Sequence, residues 1–87
     1  MVQIMENKMS LVTQFDDRNF SVTSVIQFLD VNPNLPKPQR EIAESIRVVA
    51  IEMLTDIPDS PELTAGLRKL LEAKDCFVRA SLDLGGS

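Results

Sequence analysis

Apolar residues recur every three or four positions through the middle of the chain, which is the spacing that lines one face of an α-helix. The pattern begins near Pro38, a residue suited to the first turn of a helix, and it ends near Asp56. Charged residues occupy most of the intervening positions. We therefore predict a helix over residues 38–56 with one buried stripe, formed by Ile42, Ile46, Val49 and Met53 with Ala43, Ala50 and Leu54 beside them.

The strongest local signal for a helix start lies a few residues later. The hydroxyl of Ser60 can accept a hydrogen bond from a free first-turn amide, Pro61 suits the first helical position, and Glu62 places an acid near the positive end of the helix. We predict a second helix from this point to Gly85 and Gly86, because glycine favours a helix end.

This second helix carries more apolar surface than one neighbouring helix covers. Its main stripe contains Leu63, Leu67, Leu70, Ala73, Phe77, Ala80 and Leu84, and a second seam contains Leu71, Val78 and Leu82. A tight turn is predicted over residues 57–59, so the two helices should pack antiparallel. Since two helices alone shield little surface, we expect copies of the chain to assemble into a homo-oligomeric helical bundle.

The first 34 residues give a less regular pattern, for which two interpretations compete. Val22, Val25 and Ile26 fit a short helix opened by Asn19 or Ser21, whereas the alternation of apolar residues over 20–28 fits a strand. We adopt the helix, and we assign residues 30–38, with three prolines, to a linker or rigid turn. The predicted fold is all-α, with an N-terminal arm or short helix over residues 1–34 and an antiparallel two-helix hairpin domain over residues 35–87.

Size and charge narrow the classes of function. The chain has 87 residues and a net charge of −4, which is the wrong sign for binding duplex nucleic acid through its phosphates. No apolar run approaches the roughly 20 residues that cross a bilayer, and the single Cys76 fits a reducing compartment. We therefore expect a cytoplasmic protein that does not bind membranes.

The sequence offers few candidate residues for catalysis. The chain has no histidine, no glycine-rich phosphate loop and no metal-ligand spacing, so we predict neither an enzyme, nor a metal site, nor a bound cofactor. Cys76 and Phe77 are interpreted as core or interface residues. Neighbouring acids such as Glu41 and Glu44 are interpreted as a solvated helix face.

The arginines are the candidate ligand-binding residues, because a guanidinium matches the oxygens of a phosphate. A simpler interpretation is pairing with acids three or four positions away on the same helix. The pairs would be Arg68 with Glu72, Arg79 with Asp75, and Arg47 with Glu44. Apolar neighbours predict partial shielding of Arg79. The candidates are Arg40, Arg47, Arg68 and Arg79.

Residues 35–84 resemble the hairpin domain of small phage proteins of the anti-CBASS cyclic-nucleotide sponge family and of related Thoeris inhibitors. The resemblance lies in a proline-containing loop, a first amphipathic helix, a short Asp-Ser-Pro turn and a leucine-rich second helix. In this chain the second helix reads Glu-Leu-Thr-Ala-Gly-Leu-Arg-Lys-Leu-Leu-Glu-Ala-Lys-Asp-Cys-Phe-Val-Arg-Ala over residues 62–80.

The resemblance implies a homo-oligomer, often a hexamer, that sequesters cyclic di- or trinucleotides between protomers without cleaving them. Arginines would hold the phosphates, and apolar or aromatic groups would stack against the bases. Such a protein would act in the host cytoplasm as a phage immune-evasion factor. The alternative from another class is a small helical protein-protein interaction module, an inhibitor or adaptor, without a nucleotide ligand.

Overall fold

A computed structural model describes residues 9–86 of the chain, and the side chains of residues 9–82. Those residues contain four helices and no strand, so the predicted all-α class is confirmed. The helices are α1 (Leu11–Gln14), α2 (Phe20–Ile26), α3 (Lys37–Asp56) and α4 (Pro61–Gly86).

The two N-terminal helices are short. Helix α1 begins after Ser10, whose hydroxyl accepts a hydrogen bond from the amide of Thr13 at 3.1 Å. The sequence analysis did not predict α1, because four residues are too few to show a helical period. Helix α2 begins after Asn19, as the helical interpretation of this segment predicted, and the strand alternative is wrong.

Helices α3 and α4 begin where local signals predicted. Pro38 lies in the first turn of α3, which starts one residue earlier than expected, at Lys37. Pro61 is the first residue of α4, and Ser60 Oγ accepts a hydrogen bond from the amide of Leu63 at 3.0 Å. A proline without an amide hydrogen loses nothing in a first turn, where amides have no partner within the helix.

The two long helices pack along each other in opposite directions. Four residues connect the end of α3 to the start of α4. At the other end of the pair, Gln39 Nε2 donates a hydrogen bond to the backbone carbonyl of Ser81 at 2.9 Å. Helix α2 also packs against α4, and Lys74 Nζ fastens the chain after α2 by donating to the carbonyl of Phe28 at 2.5 Å.

One buried cluster joins the N-terminal segment to the α3–α4 pair. The segment contributes more than half of the cluster, so residues 9–30 form part of the core. The division of the chain at residues 34 and 35 remains a prediction. The cluster consists of Leu11, Val22, Val25, Ile26, Leu29, Ala50, Leu54, Leu63 and Leu67.

The predicted buried stripe of α3 is confirmed for Ala43, Ala50 and Leu54 and wrong for Val49 and Met53, which remain 39% and 36% exposed. Ile42 and Ile46 are only partly buried. The buried face is rotated around the helix toward α4 and the core cluster, because Gln39 donates to Ser81 of α4 and Arg47 holds Asp30 of the N-terminal segment. This buried face consists of Gln39, Ala43, Arg47, Ala50 and Leu54.

On α4 the predicted main stripe is buried only in the half near the turn. Leu63 and Leu67 are buried, whereas Phe77 is 54% exposed and Ala80 is exposed. Leu71 of the second seam packs against the core cluster, while Leu82 is exposed. The side chain of Leu84 lies outside the described part. The short N-terminal segment therefore covers part of the second seam, and the far half of the main stripe remains open.

Candidate functional site

Arg47 is a buried structural anchor. Its side chain donates from Nε to Asp30 Oδ1 at 3.2 Å and from Nη2 to the backbone carbonyl of Met9. The residue is only 4% exposed. Asp30 also accepts hydrogen bonds from the amide of Leu11 at 3.1 and 3.3 Å. The predicted pairing of Arg47 with Glu44 is therefore wrong, and Arg47 instead fastens the N-terminal segment to α3.

Arg40 lies in the same cavity as Arg47. This open cavity of about 340 Å³ is also lined by Met9, Pro33 and Glu44. Arg40 Nη1 donates to the backbone carbonyl of Leu35 at 3.2 Å, which leaves other guanidinium donors without a protein partner among the described residues. Because Asp30 and Glu44 both line the cavity, its two arginines face two carboxylates and little net positive charge remains.

Arg68 lies on a second open cavity, between the starts of α2 and α4. The cavity measures about 550 Å³ and is lined by side chains that can donate hydrogen bonds. Arg68 is exposed and forms no ion pair within the described chain, so its predicted pairing with Glu72 does not occur. The polar lining residues are Asn19, Ser21, Ser60, Thr64 and Arg68, together with Asp59.

The one acid in this second cavity is already neutralised by a residue that the sequence analysis missed. Arg18 Nε donates to Asp59 Oδ1 at 2.5 Å, and the amide of Asn19 donates to Asp59 Oδ2 at 2.7 Å. The hydrogen bond from the Asn19 amide is the largest cause that holds the pKa of Asp59 below its ordinary value; desolvation opposes it, and the hydrogen bond and charge of Arg18 add smaller lowering effects. The cavity therefore keeps the positive charge of Arg68 without an unpaired carboxylate.

Arg18 also fastens the turn between the long helices. Its two terminal nitrogens donate to the carbonyls of Leu54 and Ile57, each at 2.6 Å. These carbonyls lie at the C-terminal end of α3, where the helix leaves acceptors without internal partners. Because 41 residues separate Arg18 from Asp59, no local spacing in the sequence could have revealed the pair.

Arg79 stands apart from the other candidate arginines. It is exposed, and its Nη2 lies 3.5 Å from Sγ of Cys76, which is also exposed. The expectation that Arg79 is shielded is therefore wrong, as is a core position for Cys76, because both lie on the side of α4 opposite its buried residues. An interface position for Cys76 remains a prediction. Arg79 forms no ion pair with Asp75 among the described residues.

An open apolar surface runs along the α3–α4 pair on the side opposite α1 and α2. We call this surface the interhelical face. It contains two depressions, of about 220 Å³ near the turn and about 400 Å³ toward the other end. Much of it is the apolar stripe that the sequence predicted to be buried. The face is formed by Ile42, Ile46, Val49, Met53, Ile57, Gly66, Leu70 and Phe77.

The structure thus brings together only two of the four candidate arginines, Arg40 and Arg47. Comparisons of this chain with protein-family models, with curated proteins and with solved structures found no match. The likeness to the cyclic-nucleotide sponges consequently rests on the residues quoted for it. Within residues 9–86, no group of three or more potential metal ligands occurs, and no helix is both long and apolar enough to cross a membrane.

Proposed function

We propose that this chain sequesters a cyclic di- or trinucleotide without cleaving it, as a homo-oligomer built from α3–α4 hairpins. The observation that carries this proposal is the cavity around Arg68. There Arg68, which has no hydrogen-bond or ion-pair partner among the described residues, lies with three hydroxyl-bearing residues, while Asp59, the one acid among the described lining residues, is paired with Arg18. The guanidinium would bind a phosphate, and the hydroxyls would donate further hydrogen bonds to it.

An exposed aromatic residue at the start of α2 supports a nucleotide as the ligand. Phe20 is 83% exposed, and its two neighbours in sequence, Asn19 and Ser21, line the cavity. Exposed rings are favourable surfaces for stacking a nucleobase, worth about 1–3 kcal/mol per base. A cyclic dinucleotide offers both groups at once, since it carries two phosphates and two bases.

The four candidate arginines do not contribute equally to the proposal. Arg68 is the first candidate for a phosphate ligand, and Arg40 is the second because it retains free donors. Arg47 already uses its donors on Asp30 and Met9, so its role in binding would be indirect. Arg79 would contribute only if a neighbouring copy completed a site around it. The resemblance to the sponge family suggests six copies in the assembly.

The proposal is tested by thermal unfolding of the full chain with a panel of cyclic di- and trinucleotides. A ligand at 100 times its dissociation constant should stabilise the folded form by about 2.7 kcal/mol. Arg68→Ala should remove the shift, while the matched control Lys37→Ala, which removes an exposed cation at the start of α3 outside this cavity, should retain it. The ligand should be recovered chemically intact after incubation.

Three results would count against it. The absence of a shift with every cyclic oligonucleotide would refute sequestration, and a cleaved ligand would refute binding without turnover. A shift that survives Arg68→Ala but is lost in Arg40→Ala would move the proposed site to the cavity of Arg40 and Arg47.

The interhelical face favours a second candidate, a helical protein-protein interaction module without a nucleotide ligand. An inhibitor or adaptor would use this apolar surface to bind another helix. Such a module should be indifferent to every cyclic nucleotide in the panel, so the same experiment separates the two candidates.

A further inference from the structure

The interhelical face has the dimensions of a protein interface. Helix α3 has 20 residues and is therefore about 30 Å long, and two helices side by side present a strip about 20 Å wide. The face thus measures about 600 Å² on each copy, or about 1,200 Å² in total, which is the lower end of stable specific interfaces. Its apolar residues are contiguous along the helix pair, and a contiguous apolar surface of several hundred Å² is often functional, unlike singly scattered exposed residues.

The face is also open at Gly66, which lines the depression near the turn. A β-carbon placed on Gly66 would meet no atom within 4 Å. The helix could therefore carry a larger residue there without a clash inside the described chain, so a substitution at Gly66 changes the face without disturbing the fold.

We infer that a second copy of this chain packs on the interhelical face, with α3 of each copy against α4 of the other. This inference rests on the self-association part of the proposed function and names its interface. Two-fold symmetry would make the surface self-complementary and would close the assembly as an antiparallel four-helix bundle.

The charges along the two edges of the face select this arrangement. Helical spacing places exposed acids on the α3 edge that points away from α4, namely Glu41, Glu52 and Asp56. The corresponding α4 edge carries the base Lys69 near its middle and Glu62 only near the turn. Packing α3 on α3 would oppose two acidic edges, whereas packing α3 on α4 sets each acidic edge against an edge on which the charges of Lys69 and Glu62 cancel. Like charges in register destabilise a pairing, so the second arrangement is favoured.

The test measures mass in solution by light scattering and sedimentation, from about 1 to about 100 µM. The wild-type chain should exceed the monomer mass across the upper part of that range. Gly66→Arg and Met53→Arg should each weaken association at least tenfold, because each places a charge in the apolar depression near the turn. The matched control Val48→Arg changes an exposed valine outside the face and should leave the mass unchanged. Circular dichroism should give the same helix content for all variants.

Charge reversal tests the arrangement itself. Lys69→Glu should weaken association about tenfold, and adding Glu52→Lys should restore it; the absence of restoration would overturn the pairing of α3 with α4. A wild-type chain that remains a monomer at about 100 µM would overturn the whole inference. So would an oligomer insensitive to both Gly66→Arg and Met53→Arg, or a monomer that uses the face only to bind a foreign helix.

The two proposals fail separately. A nucleotide-induced thermal shift that persists in a monomeric Gly66→Arg chain would leave the Arg68 site standing without this interface. Association lost in Gly66→Arg, combined with no shift for any nucleotide, would leave the interface standing without the ligand.

Discussion

The two faces of the α3–α4 pair differ in their side chains and in whether the described chain covers them. The face toward α1 and α2 is covered and fastened by charged side chains, with Arg47 on Asp30, Arg18 on Asp59 and Lys74 on a backbone carbonyl. The interhelical face has larger aliphatic residues, and no ion pair crosses it within the described chain.

The difference teaches that hydrophobicity alone does not decide which face of a helix is buried within its own chain. Ala43 and Ala50 are fully buried although larger residues of α3 remain partly exposed. Small side chains allow the backbones of α3 and α4 to approach closely, and the polar side chains of Gln39 and Arg47 fix the neighbouring chain. The larger apolar residues Val49 and Met53 remain partly exposed within the described chain.

Two adjacent residues of α3 give the largest expected contrast between the faces. Leu54 is buried in the covered core and Met53 lies on the interhelical face. Leu54→Ala should lower the free energy of unfolding by about 3 kcal/mol, because it leaves a cavity in the core. Met53→Ala should cost under about 1 kcal/mol in the dilute monomer. Urea unfolding at low protein concentration measures both, and equal losses would contradict the contrast.

The second-largest effect on stability is expected at the ion pair of Arg47 with Asp30, which fastens the N-terminal segment to α3. Asp30→Ala should lower the free energy of unfolding by about 2 kcal/mol, somewhat below the value for a fully buried pair, because Asp30 is partly exposed. The substitution leaves the Arg47 guanidinium and the Leu11 amide without their acceptor. The matched control Asp17→Ala removes an exposed acid without a hydrogen bond among the described residues and should change little. An unfolding curve for Asp30→Ala that overlays that of the control would refute the anchoring role.

A smaller effect is expected at the start of α4, which both faces share. Ser60→Ala should cost about 1 kcal/mol, because the Leu63 amide loses its acceptor. Ser45→Ala is the matched control in the exposed middle of α3, where alanine is the better helix former. Thermal unfolding should therefore give a lower Tm for Ser60→Ala and an equal or higher Tm for Ser45→Ala; the reverse order would argue against the cap.

The smallest effect on stability is expected only at acid pH, from the ion pair between Arg18 and Asp59. Because the pKa of Asp59 is lowered in the folded chain, its contribution to stability is present above the ordinary aspartate pKa of about 3.9 and is lost as the pH falls through the lowered pKa. Asp59→Asn should remove this part of the acid sensitivity. Tm measured from about pH 6 to about pH 2 should fall less steeply for Asp59→Asn than for Asp17→Asn. Parallel profiles of Tm against pH for the two variants would contradict a stabilising ion pair between Arg18 and Asp59.

Local signals in the sequence determined the helical class and the bounds of the long helices. Pro38, Ser60 and Pro61 act on their own turns, through a fixed backbone angle or a hydroxyl within reach of an amide three residues away. Charge alone identifies the arginines as candidates, and two of them, Arg40 and Arg68, line cavities. Charge alone does not distinguish Arg47, which is buried and bonded to Asp30 and Met9, from Arg79, which is exposed.

Only the tertiary structure decided which apolar face is covered and which charges are neutralised. The partners of Arg18 and Asp30 lie 41 and 17 residues away, and neither distance corresponds to a helical period. Helical spacing also predicts an apolar stripe without saying what lies against it. The alanine face of α3 lies toward α4 and the core cluster, where close packing and the ion pair of Arg47 with Asp30 are possible, and the larger side chains of the interhelical face stay partly exposed.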